Sequence, residues 1–250
     1  MGDSISTDRY TPRQRTVYRA RLVDELEVFD RHLQQADFVS QGTIGLELEL
    51  NLVDDAMDPA PLNHKVLANL SDEYQSEIGS YNVELNLPPQ SIDGDGLRTL
   101  EAHLRQRLGE VHAAAGEAGT RVAMIGTLPT MTTEFLEDPG WITDEHRYRG
   151  LNHSIMESRG ELLHIDVARM ESYRHDFEDI STESTCTSMQ LHLQVSPNRF
   201  ADAWNASQAI AGVQAAIGAN SPLFMGRRLW HESRIPVFQQ AIDTRTQELI

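Results

Sequence analysis

Three short segments of the chain alternate strictly between apolar and polar residues, and each predicts a β-strand with one buried face. The segments are residues 43–53, 81–87 and 187–195. Because successive strand side chains point to opposite faces, the polar side chains of each segment share one side of the strand. These polar positions are Thr43, Gly45, Glu47, Glu49 and Asn51, then Asn82, Glu84 and Asn86, then Gln190, His192 and Gln194.

Other segments carry apolar residues at helical spacing and predict helices. They cover residues 10–37, 96–118 and about 197–219, and the last is opened by Ser196-Pro197. Strands scattered among helices without a steady strand–helix repeat favour an α+β fold with an antiparallel sheet. We therefore expect a helical segment over residues 1–42, followed by one α+β domain over 43–250.

Weaker patterns complete the prediction. Residues 64–78 predict a short helix, and 121–126 and 161–168 predict short strands. Pro88-Pro89 is expected to end the second alternating strand, since proline cannot donate to a β-ladder. Residues 130–160 and 169–185 show neither period and are expected to be irregular.

Composition narrows the classes of partner. The 250 residues include 21 Lys and Arg against 38 Asp and Glu, a net charge of −17. Such a chain is repelled by nucleic acid and by anionic membranes, so we expect neither as a partner. The single cysteine, Cys186, excludes an internal disulfide, and no signal-like or membrane-spanning apolar run is found. These features predict a cytoplasmic protein.

The polar strand faces hold acids, amides and one imidazole but no Lys or Arg. Carboxylates gathered on one sheet face repel one another, and a divalent cation removes that cost. Oxygen ligands of this kind suit Mg²⁺ or Mn²⁺, and Mg²⁺ commonly shares its shell with substrate phosphates. The alternative is a solvated sheet face without a ligand. Gly45 allows either a bulge or close approach of a ligand, and His192 is either structural or a ligand.

Candidate phosphate or carboxylate binders come from outside the strands. Arg147, Arg227, Arg228 and Arg234 follow irregular or helical segments, and arginine binds such groups bidentately. A plain surface position is the alternative for each of them. The chain has no Walker A loop, no dinucleotide fingerprint, no zincin motif and no nucleophile elbow. Cys186 has no activating neighbour in the sequence and is expected to be a small buried residue.

Taken in order, these motifs resemble the type 2 glutamate–cysteine ligases and related carboxylate–amine ligases, in particular an actinobacterial-type subgroup with a longer chain. Gly45-Leu-Glu-Leu-Glu49 resembles the G-x-E-x-E strand of that family. Further similarity lies at residues 81–86, 147–152, 190–194 and 219–226. The ordered set is specific, whereas G-x-E-x-E alone is not.

The resemblance implies a glutamine-synthetase-like catalytic fold, in which an antiparallel sheet forms the active-site floor and helices pack on its other face. It implies ATP, Mg²⁺ (or Mn²⁺), and glutamate, whose γ-carboxylate is activated as an acyl phosphate before an amine attacks. The amine is cysteine in the named activity, although relatives accept others.

By position, the family's roles transfer to particular residues of this chain. Glu47, Glu49, Glu84 and His192 would be metal ligands. His192, Gln190 and Asn86 would contact the nucleotide. Arg147 and Arg234 would bind substrate carboxylate or phosphate during catalysis.

The resemblance also departs from the family pattern at one point. The subgroup continues past this length with an E-x-R element on a further strand, so we expect these 250 residues to be the front half of a larger unit. The nearest Glu-x-Arg, Glu232-Ser-Arg234, precedes Pro236. A non-catalytic metal–nucleotide-binding fragment and a metal-dependent hydrolase remain alternative functions, and a homo-oligomer sharing a sheet edge is left open.

Overall fold

The computed structural model describes residues 5–36, 38, 42–246 and 248 of the chain. Its helices are α1 (Pro12–Gln35), α2 (Asn63–Leu67), α3 (Gly96–Glu117), α4 (Thr133–Glu137), α5 (His146–Arg159), α6 (Phe200–Gly218) and α7 (Arg234–Ala241). Its strands are β1 (Thr43–Val53), β2 (Tyr74–Ser76), β3 (Asn82–Ser91), β4 (Arg121–Ala123), β5 (Leu163–Ala168), β6 (Ser172–Phe177), β7 (Met189–Leu193), β8 (Leu223–Phe224) and β9 (Arg227–Arg228). Short 3₁₀ turns span Pro139–Trp141, Glu183–Thr185 and Pro197–Arg199.

The main sheet is antiparallel and is built around β1. Its strand order is β2-β3-β1-β4, and β7 also pairs with β1. Since β3 occupies one edge of β1 along most of its length, β4 and β7 share the opposite edge, at different ends of the strand. The three alternating segments therefore lie side by side, and the predicted α+β fold with an antiparallel sheet is confirmed.

The apolar side of this sheet forms one hydrophobic core. Leu50, Leu52 and Val83 are fully buried there, and Leu100 and Val111 of α3 pack against them. The period of two in the strands meets the 3.6-residue period of the helix, so each element buries one apolar stripe. This layer confirms the helix predicted over 96–118 and leaves the opposite, polar face of the sheet turned away from α3.

The prediction that Pro88-Pro89 ends a strand is wrong, because a β-bulge absorbs the two prolines. Leu46 pairs with Leu87 and Ile44 pairs with Gln90, so Gly45 faces both prolines. A bulge leaves residues outside the ladder, which is where a strand tolerates proline. Gly45 therefore marks a bulge, one of the two readings left open by the sequence.

A second core lies beyond the sheet and includes the β5–β6 hairpin. Leu163, Ile165 and Phe177 of the hairpin pack with Trp141 and with Val237 of α7. Tyr81, which the alternation placed on the first apolar face, belongs to this second core instead and its hydroxyl lies 2.9 Å from Ser184 Oγ.

Several segments predicted as irregular are ordered. Residues 130–160 contain α4 and α5, and residues 169–185 contain β6. Both were missed because their elements bury few side chains: α5 buries only Gly150 and Arg159, and β6 only Phe177. The predicted helix over 64–78 is in part wrong too, because α2 ends at Leu67 and β2 follows.

Two helices expose apolar side chains. Among the described residues, no side chain of α1 or α6 is buried. On the edge of the sheet, β7 also exposes Leu191 and Leu193. None of the described helices combines enough length and apolarity to cross a lipid bilayer.

Candidate active site

The polar face of the main sheet gathers most of the predicted site residues in two cross-strand rows. Glu49 of β1 pairs with Glu84 of β3, which in turn pairs with Gln75 of β2. Glu47 lies between Asn86 of β3 and Gln190 of β7. Directly opposed residues are about 4.5–5.5 Å apart at Cβ, so the Glu49–Glu84 pair brings two carboxylates together.

One end of this face opens into a cavity of about 780 Å³. Three predicted site residues line it: Glu49, Gln190 and Arg234. Glu77 and Glu183 add two further carboxylates to its wall. The opposite wall is apolar and is formed by Ile235, Phe238 and Ile242 at α7.

Glu77 and Glu183 were missed by the sequence reasoning because neither lies on an alternating strand. Glu77 follows β2, and Glu183 begins a 3₁₀ turn in a segment predicted to be irregular. A signal was present only in retrospect, since each is an acid close in sequence to a strand of the polar face. Only the tertiary fold places them beside Glu49.

The carboxylates of this cavity titrate abnormally. Burial raises the pKa of Glu49 to about 7, against a backbone hydrogen bond from Ser188 that lowers it, and the Glu84 charge raises it further. Burial also raises the pKa of Glu77, helped by its hydrogen bond with Glu84 and by the Glu49 charge. Burial and the Glu49 charge raise the pKa of Glu183 to about 7. The cluster is therefore short of positive charge.

Arg234 reaches the cavity while tied into the protein by four hydrogen bonds. Its Nε and Nη2 atoms donate to the two carboxylate oxygens of Glu232, both at 2.8 Å. Nη1 donates to the Thr187 carbonyl at 2.7 Å and Nη2 to the Gly218 carbonyl at 3.2 Å. Guanidinium has five N–H groups, so among the described residues one donor on Nη1 is left for a ligand.

The other end of the polar face lines a second cavity, of about 550 Å³. Glu47, Asn86 and His192 all lie there, and His192 Nε2 is 3.3 Å from a Glu47 oxygen. Both polar atoms of the Asn86 side chain are buried without a hydrogen-bond partner among the described residues. An unpartnered buried amide is costly, which favours a ligand or water at this position.

Arg147 is not brought into either cavity. It lies in the first turn of α5, where Nη2 donates to Ser76 Oγ at 2.9 Å and Nε lies 2.8 Å from Glu145. Its guanidinium also stacks over the Tyr148 ring at 4.5 Å. Ser76 directly precedes Glu77, so Arg147 contacts the chain neighbour of a residue that lines the larger cavity. Its predicted contact with substrate stays a prediction.

Two further polar residues of the sheet face serve the fold. Asn51 is fully buried and donates to the Ile125 carbonyl at 3.0 Å, while Asn82 donates to Asn51 Oδ1 at 3.0 Å.

Cys186 also lines the larger cavity, and burial raises its thiol pKa to about 12. A thiol with that pKa is not a nucleophile near neutral pH.

The chemistry of the donor set fits a hard divalent cation. Glu49, Glu84 and Glu77 offer carboxylate oxygens, and one oxygen of Glu183 is buried without a hydrogen-bond partner within the described ranges. In that part of the chain, no group of three or more His, Cys, Asp or Glu side chains is placed so that it could hold a metal ion by itself. Mg²⁺ does not require one, because it usually keeps waters and takes one or two carboxylates plus substrate phosphates.

A family model described as glutamate-cysteine ligase family 2 (GCS2) matches residues 43–250. The match begins at the first residue of β1 and includes both cavities described above. No curated protein matches the chain.

Proposed function

Because the chain belongs to the glutamate-cysteine ligase family 2, we propose that it joins the γ-carboxylate of glutamate to an amine at the expense of ATP, with cysteine as the first candidate amine. Membership implies ATP-dependent ligase activity of the glutamate–cysteine ligase type. The identity of the amine and the acyl-phosphate route are the finer parts of the proposal. The observation that carries it is the group of carboxylates at the larger cavity: Glu49 and Glu77 line its wall, and Glu84 lies across from Glu49 on the neighbouring strand.

Mg²⁺, when bound, would supply positive charge that neutralises the ATP phosphates while the γ-phosphoryl group passes to the glutamate carboxylate and ADP leaves. The chain's own carboxylates, Glu49 and Glu84 with Glu77, would hold the cations once they are deprotonated. Glu47 and His192 would play the same part at the second cavity, where Asn86 would donate to the nucleotide, and Gln190 would donate to it from the larger cavity. The raised pKa values of Glu49 and Glu77 agree with a cluster that is complete only with added positive charge.

The walls of the larger cavity suit a reactive acyl phosphate. Arg234 lines the cavity and keeps one Nη1 donor without a partner among the described residues, so it could bind a carboxylate or phosphoryl oxygen. Ile235 and Phe238 present an apolar surface that limits access of water. Limiting water protects an activated carboxyl from hydrolysis until the amine attacks. No covalent enzyme nucleophile is needed, in agreement with the high pKa of Cys186.

The direct test is phosphate release by the protein mixed with MgATP, glutamate and a panel of amines that includes cysteine. We expect release that depends on both glutamate and one amine. Glu49→Gln should lower the turnover by about 10²-fold or more, because it removes a charge that holds the phosphate-bound cations. Glu117→Gln, an exposed position at the end of α3, is the matched control and should leave turnover unchanged.

Other outcomes of this assay would contradict the proposal. Thermal stabilisation by MgATP without turnover for any amine would favour a binding fragment. Hydrolysis of a substrate without nucleotide would favour a metal-dependent hydrolase. Equal turnover of Glu49→Gln and the parent protein would remove the carboxylate cluster from the mechanism.

A further inference from the structure

Helix α1 carries an apolar stripe that faces solvent. The stripe consists of Tyr18, Leu22, Leu26, Phe29 and Leu33, at helical spacings of four, four, three and four residues. At 100° per residue these five side chains fall within about 80° of one another on the helix surface. Their exposed fractions are 44–66%. Contiguous exposed apolar surface of this kind commonly marks an interaction site.

Ion pairs attach the start of α1 to helix α5, while the rest of α1 stays exposed to solvent. Thr11 and Gln14 form a reciprocal capping box at the N-terminus. Arg15 then pairs with Glu157 of α5 at 2.6 Å, and Asp8, before the helix, pairs with Arg149 at 3.3 Å. The stripe begins after these contacts. It is therefore presented by an anchored helix of about 36 Å rather than by a loose tail.

The charges of α1 are divided between its two halves. Residues 12–23 hold four arginines and no acid, whereas residues 24–35 hold four acids and one arginine. An antiparallel second copy would place each basic half over the acidic half of the other. A parallel copy would set like charges beside like charges, which is unfavourable.

From the stripe and this charge division we propose that α1 is a homodimerisation helix that pairs antiparallel with α1 of a second copy. Leu22 then lies across from Phe29, Tyr18 across from Leu33, and Leu26 next to its own symmetry mate. On one flank of the stripe, Arg19 lies across from Asp30. Each contact between two different residues occurs twice, and the contact between the two copies of Leu26 lies on the two-fold axis and occurs once. The proposal is independent of the ligase activity.

The test is the molar mass of the full chain by sedimentation velocity over a wide range of protein concentration. We expect a monomer–dimer equilibrium. Leu22→Asp with Phe29→Asp should shift it to monomer at all concentrations. Val17→Asp with Val23→Asp is the matched control: both valines are 59–62% exposed and lie off the stripe, so the charge change is equal and the dimer should persist. Because all four positions are exposed, the thermal unfolding of the monomer should be the same in both variants.

Orientation is tested by reversing one charge at a time. Arg19→Asp alone, and Asp30→Arg alone, should each weaken the dimer several-fold. The combination of both should restore it, because each new charge again faces its opposite in the second copy. Raising the ionic strength from about 0.1 M to 1 M should shrink these differences as the Debye length falls from about 10 to 3 Å.

A monomer at every concentration would overturn the proposal, as would a dimer that survives Leu22→Asp with Phe29→Asp. If the combined Arg19→Asp and Asp30→Arg variant weakens the dimer as much as either single variant does, the antiparallel arrangement is overturned.

Discussion

Glu49 is the residue on which the site depends most, and its environment is the source of a measurable pH effect. It lies opposite Glu84, its neighbours at the cavity include Glu77 and Glu183, and its pKa is raised to about 7 from an ordinary value of 4.5. At a pH between about 4.5 and 7, Glu49 of the folded protein therefore keeps a proton that the unfolded chain has already released. A protein tuned for stability alone would not bury these carboxylates together.

The free energy of unfolding should fall as the pH rises from about 4.5 to about 7. The raised pKa of Glu49, together with that of Glu183, means that folding stabilises the protonated carboxyls and loses this advantage once they ionise. Glu49→Gln should flatten the dependence and should raise stability at pH 8 by about 1–3 kcal/mol. Denaturant unfolding at several pH values, without divalent cations, measures it.

Glu117→Gln is the control for the same unfolding series, since its exposed carboxylate should leave the pH dependence as it was. A stability that rises with pH over this window in the parent protein would contradict the assignment of buried, proton-holding carboxylates. Because protonation of these carboxylates changes both the stability of the fold and the binding of cations, turnover and unfolding should be compared at the same pH.

At the scale of elements, β1 organises both the core and the site. Its odd and even positions divide between the apolar core and the polar face, and it pairs with β3, β4 and β7. The period of two was enough to predict this division from sequence. The alternation could not predict the bulge at Gly45, because a bulge depends on how two strands are aligned rather than on either strand alone.

Leu50→Ala in β1 should destabilise the protein by about 2–5 kcal/mol, because Leu50 is fully buried and its loss leaves a cavity. Leu191→Ala in β7 removes the same atoms from a side chain that is 54% exposed and should cost far less. Chemical denaturation of the two variants beside the parent protein measures the difference. Similar losses for both would mean that the face of β7 is covered in solution.

Elements with little buried surface explain what the sequence did not reveal. The helix α5 and the strand β6 carry mostly polar side chains, few of which are fully buried, so they lack the apolar periodicity on which the prediction depends. Glu77, which follows β2, and Glu183, which begins a 3₁₀ turn, also lie in short segments without an apolar period. Site residues in short or exposed elements therefore leave no apolar period by which the sequence would reveal them. The resemblance to the family, rather than this period, supplied the expected roles of the site residues.

At the scale of the whole molecule, Arg234 joins three distant parts of the chain. It is paired with Glu232, and it donates to the carbonyls of Thr187, ahead of β7, and of Gly218, at the end of α6. Glu232 is buried and also accepts a hydrogen bond from Ser221 at 2.8 Å. The same arginine thus positions the cavity wall and fixes the last helix.

Arg234→Ala should cost up to about 3–5 kcal/mol, since it leaves the buried Glu232 carboxylate without its ion pair. Replacing Glu232 and Arg234 together by glutamine should cost less, because no unpaired charge remains. Arg174→Ala, in an exposed pair with Asp166, is the control and should change stability by about 0–1 kcal/mol. Thermal or denaturant unfolding distinguishes the three, and an equal loss for the single and double changes would contradict this role.

The net charge of −17 is partly local: some of these acids form the carboxylate cluster on one sheet face, where cations could neutralise them. Charge counting alone predicts that phosphate-bearing polymers are not partners, but it cannot separate a repulsive surface from a cation-binding one. That separation needed the register of β1, β3 and β7.

The pairing of β1 with β7 also has a consequence for synthesis on the ribosome. β1 ends at Val53, and its partner β7 begins only at Met189. At about 5–20 residues per second, the nascent chain waits on the order of 10 s between the emergence of the two strands. During that interval the edge of β1 that bears the β7 pairing is open to wrong partners, so chaperone capture of the nascent chain is expected to matter most over this stretch.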